Sequence, residues 1–93
     1  MDVVISEHAQ FEMARRQISE EIVKAVVQNP QQAMKSGRRR IVCQSKYYDP
    51  AEGSEMLLRV VYEKRDDKPF VVTVYRTSKV DKYWKESGYE SGL

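Results

Sequence analysis

The sequence predicts an α+β domain of two N-terminal helices, a three- or four-stranded antiparallel sheet and a short C-terminal helix, with the helices on one face of the sheet. Three observations carry that expectation. Apolar residues recur at helical spacing up to Pro30, at strand spacing from Ile41 to Arg76, and at helical spacing again after Ser78. The strand-like runs are joined by short, turn-rich links, "SGRR", "DPAEGSE" and "RDDKP", which suit hairpins rather than crossovers. A chain of 93 residues that is 41% hydrophobic has room for one core, and is too apolar for disorder. The domain is expected over residues 1–86, with 87–93 as a mobile tail.

Ser6 is placed to cap a first helix that runs to Arg16 or Gln17, and Glu7 suits the positive end of its dipole. On this helix His8, Glu12, Arg15 and Arg16 share an arc of about 100°. Phe11 and Ala14 flank the arc on one side, Ala9 and Met13 on the other, so it is either a solvent face or the lip of a cleft. Ser19, followed by Glu20 and Glu21, starts a second helix that Asn29-Pro30 stops. Its core face is Ile22, Val23, Val26 and Val27.

A weaker strand, "QQAMKS", turns through "SGRR" into "RRIVCQSKYY". There Ile41, Cys43, Ser45 and Tyr47 alternate against Val42, Gln44, Lys46 and Tyr48. "MLLRVVYEKR" is apolar on both faces except at Arg59, which predicts a central strand, and "FVVTVYR" follows it. Ser78, with Asp81 as partner in a capping box, is expected to start the last helix. Val80, Tyr83 and Trp84 share one side of that helix, and Lys79, Lys82 and Lys85 the other. One core holding Ile22, Val26, Val27, Val60, Val72, Val74 and Trp84 is the resulting expectation.

The chemical inventory is short. A single cysteine, Cys43, leaves no internal disulfide and reads as core. A single histidine, His8, argues against a multi-histidine metal site, and no cofactor is expected. "MDVVISEH" lacks the basic start of a signal peptide, and no run approaches the ~20 apolar residues of a membrane span. A cytoplasmic location without a membrane partner is therefore expected. Lys+Arg 16 against Asp+Glu 14 is only weakly basic, so the placement of charge matters more than its sum. "SGRRR" and "RTSKVDKYWK" are cationic, and each could meet phosphates or simply be solvated. Arg38–Arg40 reads as a solvated turn.

"HAQFEMARRQISEEIVKAVVQNP" and "LLRVVYE…VVTVYRTSK" together resemble the opening and the closing strands of the bacterial domain of unknown function 4258 family. The likeness runs from His8 to Trp84, and Gln17 stands where that family often has glycine. The resemblance implies kinship with RelE-like and barnase-like small ribonucleases, many of them toxins of toxin–antitoxin pairs. In those proteins helices precede a twisted antiparallel sheet, RNA lies across the sheet and the first helix, and cleavage needs no metal. RNA, in some cases on the ribosome, and an antitoxin protein are the partners so implied.

Metal-free cleavage needs a base for the ribose 2′-hydroxyl, cations for the phosphorane and an acid for the leaving 5′-oxygen. The residues available are His8 as acid or base, Arg16 as a bidentate phosphate ligand, Tyr75 as acid or stacking ring, and Thr77 beside them. Arg15, Arg76, Lys79 and Lys82 are the RNA- or phosphate-binding candidates, Arg76 and Lys79 lying where a strand feeds a helix N-terminus. His8 equally fits a surface or capping residue, and Arg15 and Arg16 equally fit partners of Glu12 or Glu20. Three functions stay open: a metal-independent endoribonuclease of toxin type, a non-catalytic RNA- or phosphate-binding module, and a protein-interaction domain.

Overall fold

Residues 2–86 are described by the computed structural model; the expected tail, 87–93, lies outside the described residues. Along the chain run β1 (Val4–Ile5), α1 (Glu7–Arg16), α2 (Glu20–Gln28), β2 (Gln32–Ser36), β3 (Arg40–Asp49), β4 (Ser54–Arg65), β5 (Lys68–Thr77) and α3 (Val80–Tyr83).

Both long helices begin as their caps dictate. The Ser6 hydroxyl accepts from the Ala9 N–H at 3.0 Å, and Ser19 does the same for Ile22 at 3.3 Å. At its other end α1 closes with Gln17 in the left-handed region, φ 58°. There the Ile18 N–H reaches back to the Met13 carbonyl at 2.8 Å, and the Gln17 N–H to that of Ala14. Ile18 and Met13 are both buried, which completes a Schellman closure with its apolar contact. Glycine takes such a φ without cost; glutamine does not.

The strands form one sheet in the order β1-β5-β4-β3-β2, so β4 is central as its two-sided apolar pattern requires. The sheet is larger than expected and mixed. Its antiparallel meander, β2 to β5, carries an additional edge strand, β1, which pairs parallel to β5 through Val4–Phe70 and Ile5–Val71. Two residues are too few to show a period of two, so this strand left no pattern in the sequence. The β4–β5 turn places Asp66 and Asp67 at φ 52° and 63°, the backbone of a tight two-residue hairpin.

The core lies between the sheet and α1 plus α2. Ala9, Met13, Ile18, Val23, Val26 and Val27 face Cys43, Leu58, Val60, Val71 and Val74. Fully burying one such valine or leucine contributes roughly 1.5–3 kcal/mol. Val72, expected beside Val74, is not among them. The β4–β5 register shifts at Val61/Tyr62, so that Val61 faces Thr73 and Tyr62 faces Val71. Val72 is the extra residue of a β-bulge, and the bulge moves Val71 onto the core face.

The last helix also departs from expectation. It is a single turn, its N-cap is Lys79, and that cap has no side-chain hydrogen bond. Ser78 does not cap it, since the helix starts one residue later, after a local turn in which the Thr77 hydroxyl accepts from the Lys79 N–H at 3.0 Å. Nor does it join the other helices. Lys46 lies over the Trp84 ring, and Lys46 alternates with the core-facing Tyr47. Trp84 therefore packs on the opposite face of the sheet and outside the main core.

Two substitutions test this account. Gln17→Gly should raise stability by about 0.5–1 kcal/mol, read as a higher urea midpoint at unchanged slope. Leu58→Ala, in the central strand, should lower it by about 2–5 kcal/mol.

Candidate functional site

The sheet face away from α1 and α2 carries an uninterrupted lateral row of polar side chains. Gln32 on β2 stands opposite Gln44 on β3, Gln44 opposite Arg59 on β4, and Arg59 opposite Tyr75 on β5. Each is bonded to the next. Gln44 Nε2 donates to Gln32 Oε1 at 2.7 Å, Arg59 Nε to Gln44 Oε1 at 2.9 Å, and Arg59 Nη1 to the Tyr75 hydroxyl at 2.5 Å. Gln44 is 0% exposed, and the bonds at both ends of its amide account for its burial.

Aromatic rings complete the surroundings of Arg59. Its guanidinium lies 4.2 Å from the Tyr83 ring centroid and 5.6 Å from that of Tyr75, and the two rings meet edge-on. One residue pair further along β3, the Lys46 ammonium lies 4.1 Å from the Trp84 ring centroid. Tyr48, again on this face, is 66% exposed. Among the described residues no carboxylate pairs with Arg59 or Lys46.

The helix side is wired differently. Arg15 and Arg16 both pair with Glu12, and Arg76 pairs with Asp49 at 3.4 Å. Asp49 Oδ1 also accepts the Ala51 and Glu52 N–H groups, so it caps the β3–β4 turn. Arg76 closes one end of a cleft of about 410 Å³ whose floor includes Ile18, Ile22 and Leu58. At the far end of the polar face Glu63 pairs with both Arg40 and Arg65.

The residues singled out in the sequence are thus divided between two faces. Tyr75 and Arg76 are consecutive in β5 and point to opposite sides, Tyr75 to the polar row and Arg76 to the helices. His8, Arg15 and Arg16 belong to α1 on the helix side; His8 is exposed, and lies about 12 Å along the helix axis from Arg16. Thr77 serves the turn before α3. Lys79 and Lys82 are exposed around a shallow depression that also includes Glu55 and Asp81. Gln32, Gln44 and Arg59 were not read from the sequence as site residues. Arg59 drew notice only as the charge that interrupts the apolar run Met56–Tyr62, and it served to place the strand.

Cys43 faces the core with a hydrogen bond to Tyr62, and burial pushes its thiol up to about 11. It is no nucleophile at neutral pH.

Residues 5–76 match the family described as Domain of unknown function (DUF4258), and the chain belongs to that family. Neither the curated proteins nor the solved structures hold a significant match. Among the described residues no helix is long and apolar enough to cross a membrane.

The Cys43 thiol sets a pH dependence. The folded state holds this proton to higher pH than the unfolded state, so it binds more protons between about 9 and about 11. Stability from this group is complete below that window and falls as pH rises through it. Tyr62, raised by its own burial and by Cys43, acts in the same direction. Chemical denaturation at a series of alkaline pH values should show the fall, and Cys43→Ser should flatten it. At pH 8 the native thiol should resist alkylation.

Proposed function

We propose that this protein binds single-stranded RNA on the polar face of its sheet and cleaves it without a metal, as RelE-like toxins do. The observation that carries this reading is Arg59: a half-buried guanidinium at the sheet centre, compensated by an amide, a phenol and a ring rather than by a carboxylate. A charge held this way keeps its attraction for a phosphate, and its amide and phenol contacts hold the planar fork in one orientation. Lys46 is a second such cation, and Lys79 and Lys82 extend the positive surface. Tyr48 offers an exposed ring on which a base can stack.

The chemistry follows from the row. With a phosphodiester against Arg59, the ribose 2′-oxygen attacks phosphorus, the bond to the 5′-oxygen breaks, and a 2′,3′-cyclic phosphate forms. Arg59 stabilises the extra negative charge of the phosphorane. The Tyr75 hydroxyl, whose oxygen accepts from Arg59, donates its own proton to the leaving 5′-oxygen. The 2′-hydroxyl proton passes to water, and solvent reprotonates Tyr75. His8 and Arg16 have no part in this scheme, since α1 lies across the sheet. An antitoxin that silences the protein would cover the polar face.

Short single-stranded RNAs, free and on ribosomes, should be cut in EDTA to leave cyclic phosphate ends. Tyr75→Phe should lower the rate ~10²–10⁴-fold with binding nearly unchanged, whereas His8→Ala should cut at the parental rate. Lys46→Ala should weaken binding and reduce the log–log salt slope by about 1. RNA that binds with this salt dependence but stays intact would reduce the protein to a binding module. No binding at low salt by any form of the protein, parent or variant, would end the RNA reading altogether.

A further inference from the structure

The polar row also grips the chain's own C-terminal segment, and does so by its main chain. Gln32 Nε2 donates to the Lys85 carbonyl at 2.6 Å, and Gln32 Oε1 accepts from the Lys85 N–H at 3.1 Å. Gln44 Nε2 donates to the Tyr83 carbonyl at 3.1 Å. Two side-chain amides thus hold Tyr83–Lys85 as a neighbouring strand would. The grip brings the Tyr83 ring against Arg59 and the Trp84 ring against Lys46, two cations with no carboxylate partner among the described residues.

The segment so held is weakly built. Helix α3 is one turn long, has no side-chain cap and buries no residue. An isolated turn has little stability of its own, so its position depends on the clamp and on the two ring contacts. Gln32, the outer half of the clamp, belongs to the edge strand β2. Its bonds to Lys85 are part-buried, as is the bond from Gln44 to Tyr83.

We infer that Tyr83–Lys85 is a latch across the polar face, held shut by the Gln32–Gln44 amide pair and lifted when RNA phosphates take Arg59 and Lys46. The inference rests on the RNA reading above and adds its regulation. A charge-assisted hydrogen bond to phosphate is stronger than a partly exposed cation–ring contact, so phosphate displaces the rings. The clamp opposes that exchange with neutral hydrogen bonds alone. The affinity measured for RNA is then the affinity of the open face multiplied by the open fraction, and loosening the clamp raises it.

Hydrogen exchange on the full chain, with and without a short oligouridine RNA, tests the latch directly. The N–H groups of Trp84 and Lys85 are bonded to the Val80 carbonyl and to Gln32. Binding that lifts the latch should speed their exchange at least ~10-fold while β4 amides stay protected, the reverse of ordinary protection on binding. Gln32→Ala, which removes both bonds to Lys85 and the bond from Gln44 but leaves Gln44 bonded to the Tyr83 carbonyl, should bind the oligouridine roughly three- to tenfold more tightly. Trp84→Ala leaves β2 untouched and should also tighten binding, which covers the case in which Gln32→Ala disturbs the edge strand. RNA binding by the two variants but not by the parent would support the latch in its strongest form. If RNA binds the parent while these amides are slowed or unchanged, and neither variant binds more tightly, the latch is wrong and the RNA reading stands. If no form binds RNA, both fall together.

Discussion

A guanidinium in the middle of the central strand has to be solvated by the protein itself. Arg59 lies between β3 and β5, half removed from water, and a bare cation there would carry a large desolvation penalty. The chain meets that requirement with neutral groups: the Gln44 amide, the Tyr75 phenol and the Tyr83 ring. Each partner then needs partners of its own. Gln44, fully buried, must satisfy its amide nitrogen as well, and does so on Gln32 and on the Tyr83 carbonyl. Gln32 in turn ties down Lys85. The course of the chain after β5 thus traces back to one charge in β4.

The same constraint separates the two faces of the sheet. On the helix side burial is apolar, and the nearby cations are matched by acids: Arg15 and Arg16 by Glu12, Arg76 by Asp49. On the polar side Arg59 and Lys46 rest on rings, and ring contacts leave net charge in place. Two cations near the centre of this face thus keep their charge, although Glu55 and Glu63 stand on the same face nearer its ends. Total charge conceals this, because it does not say which cations have acids as partners.

Much of the scaffold was legible because its signals are local. Ser6 and Ser19 cap the helices they precede, the valines of α2 face the core, and the two-sided apolar run around Arg59 marks the centre of the sheet. Gln17 is instructive in the same way. It is the left-handed residue that ends α1, a place that glycine fills most easily. What was not legible depended on register. A bulge at Val72 exchanges one valine for its neighbour in the core, and no alternation pattern announces it. The two residues of β1 become a strand only because β5 is there to receive them.

The site illustrates the limit most clearly. The sequence by itself determined the class of fold, the central strand, the caps and the presence of one anomalous arginine within it. Whether Tyr75 and Arg76 lie on one face or two was decided by the pleat of β5, which sends consecutive side chains to opposite faces. That Gln32, Gln44, Arg59 and Tyr75 form one bonded row was decided by the pairing of four strands distant in sequence, since a slip of one residue in any pair would break the row. Side-chain chemistry is written residue by residue, but adjacency across a sheet belongs to the register alone.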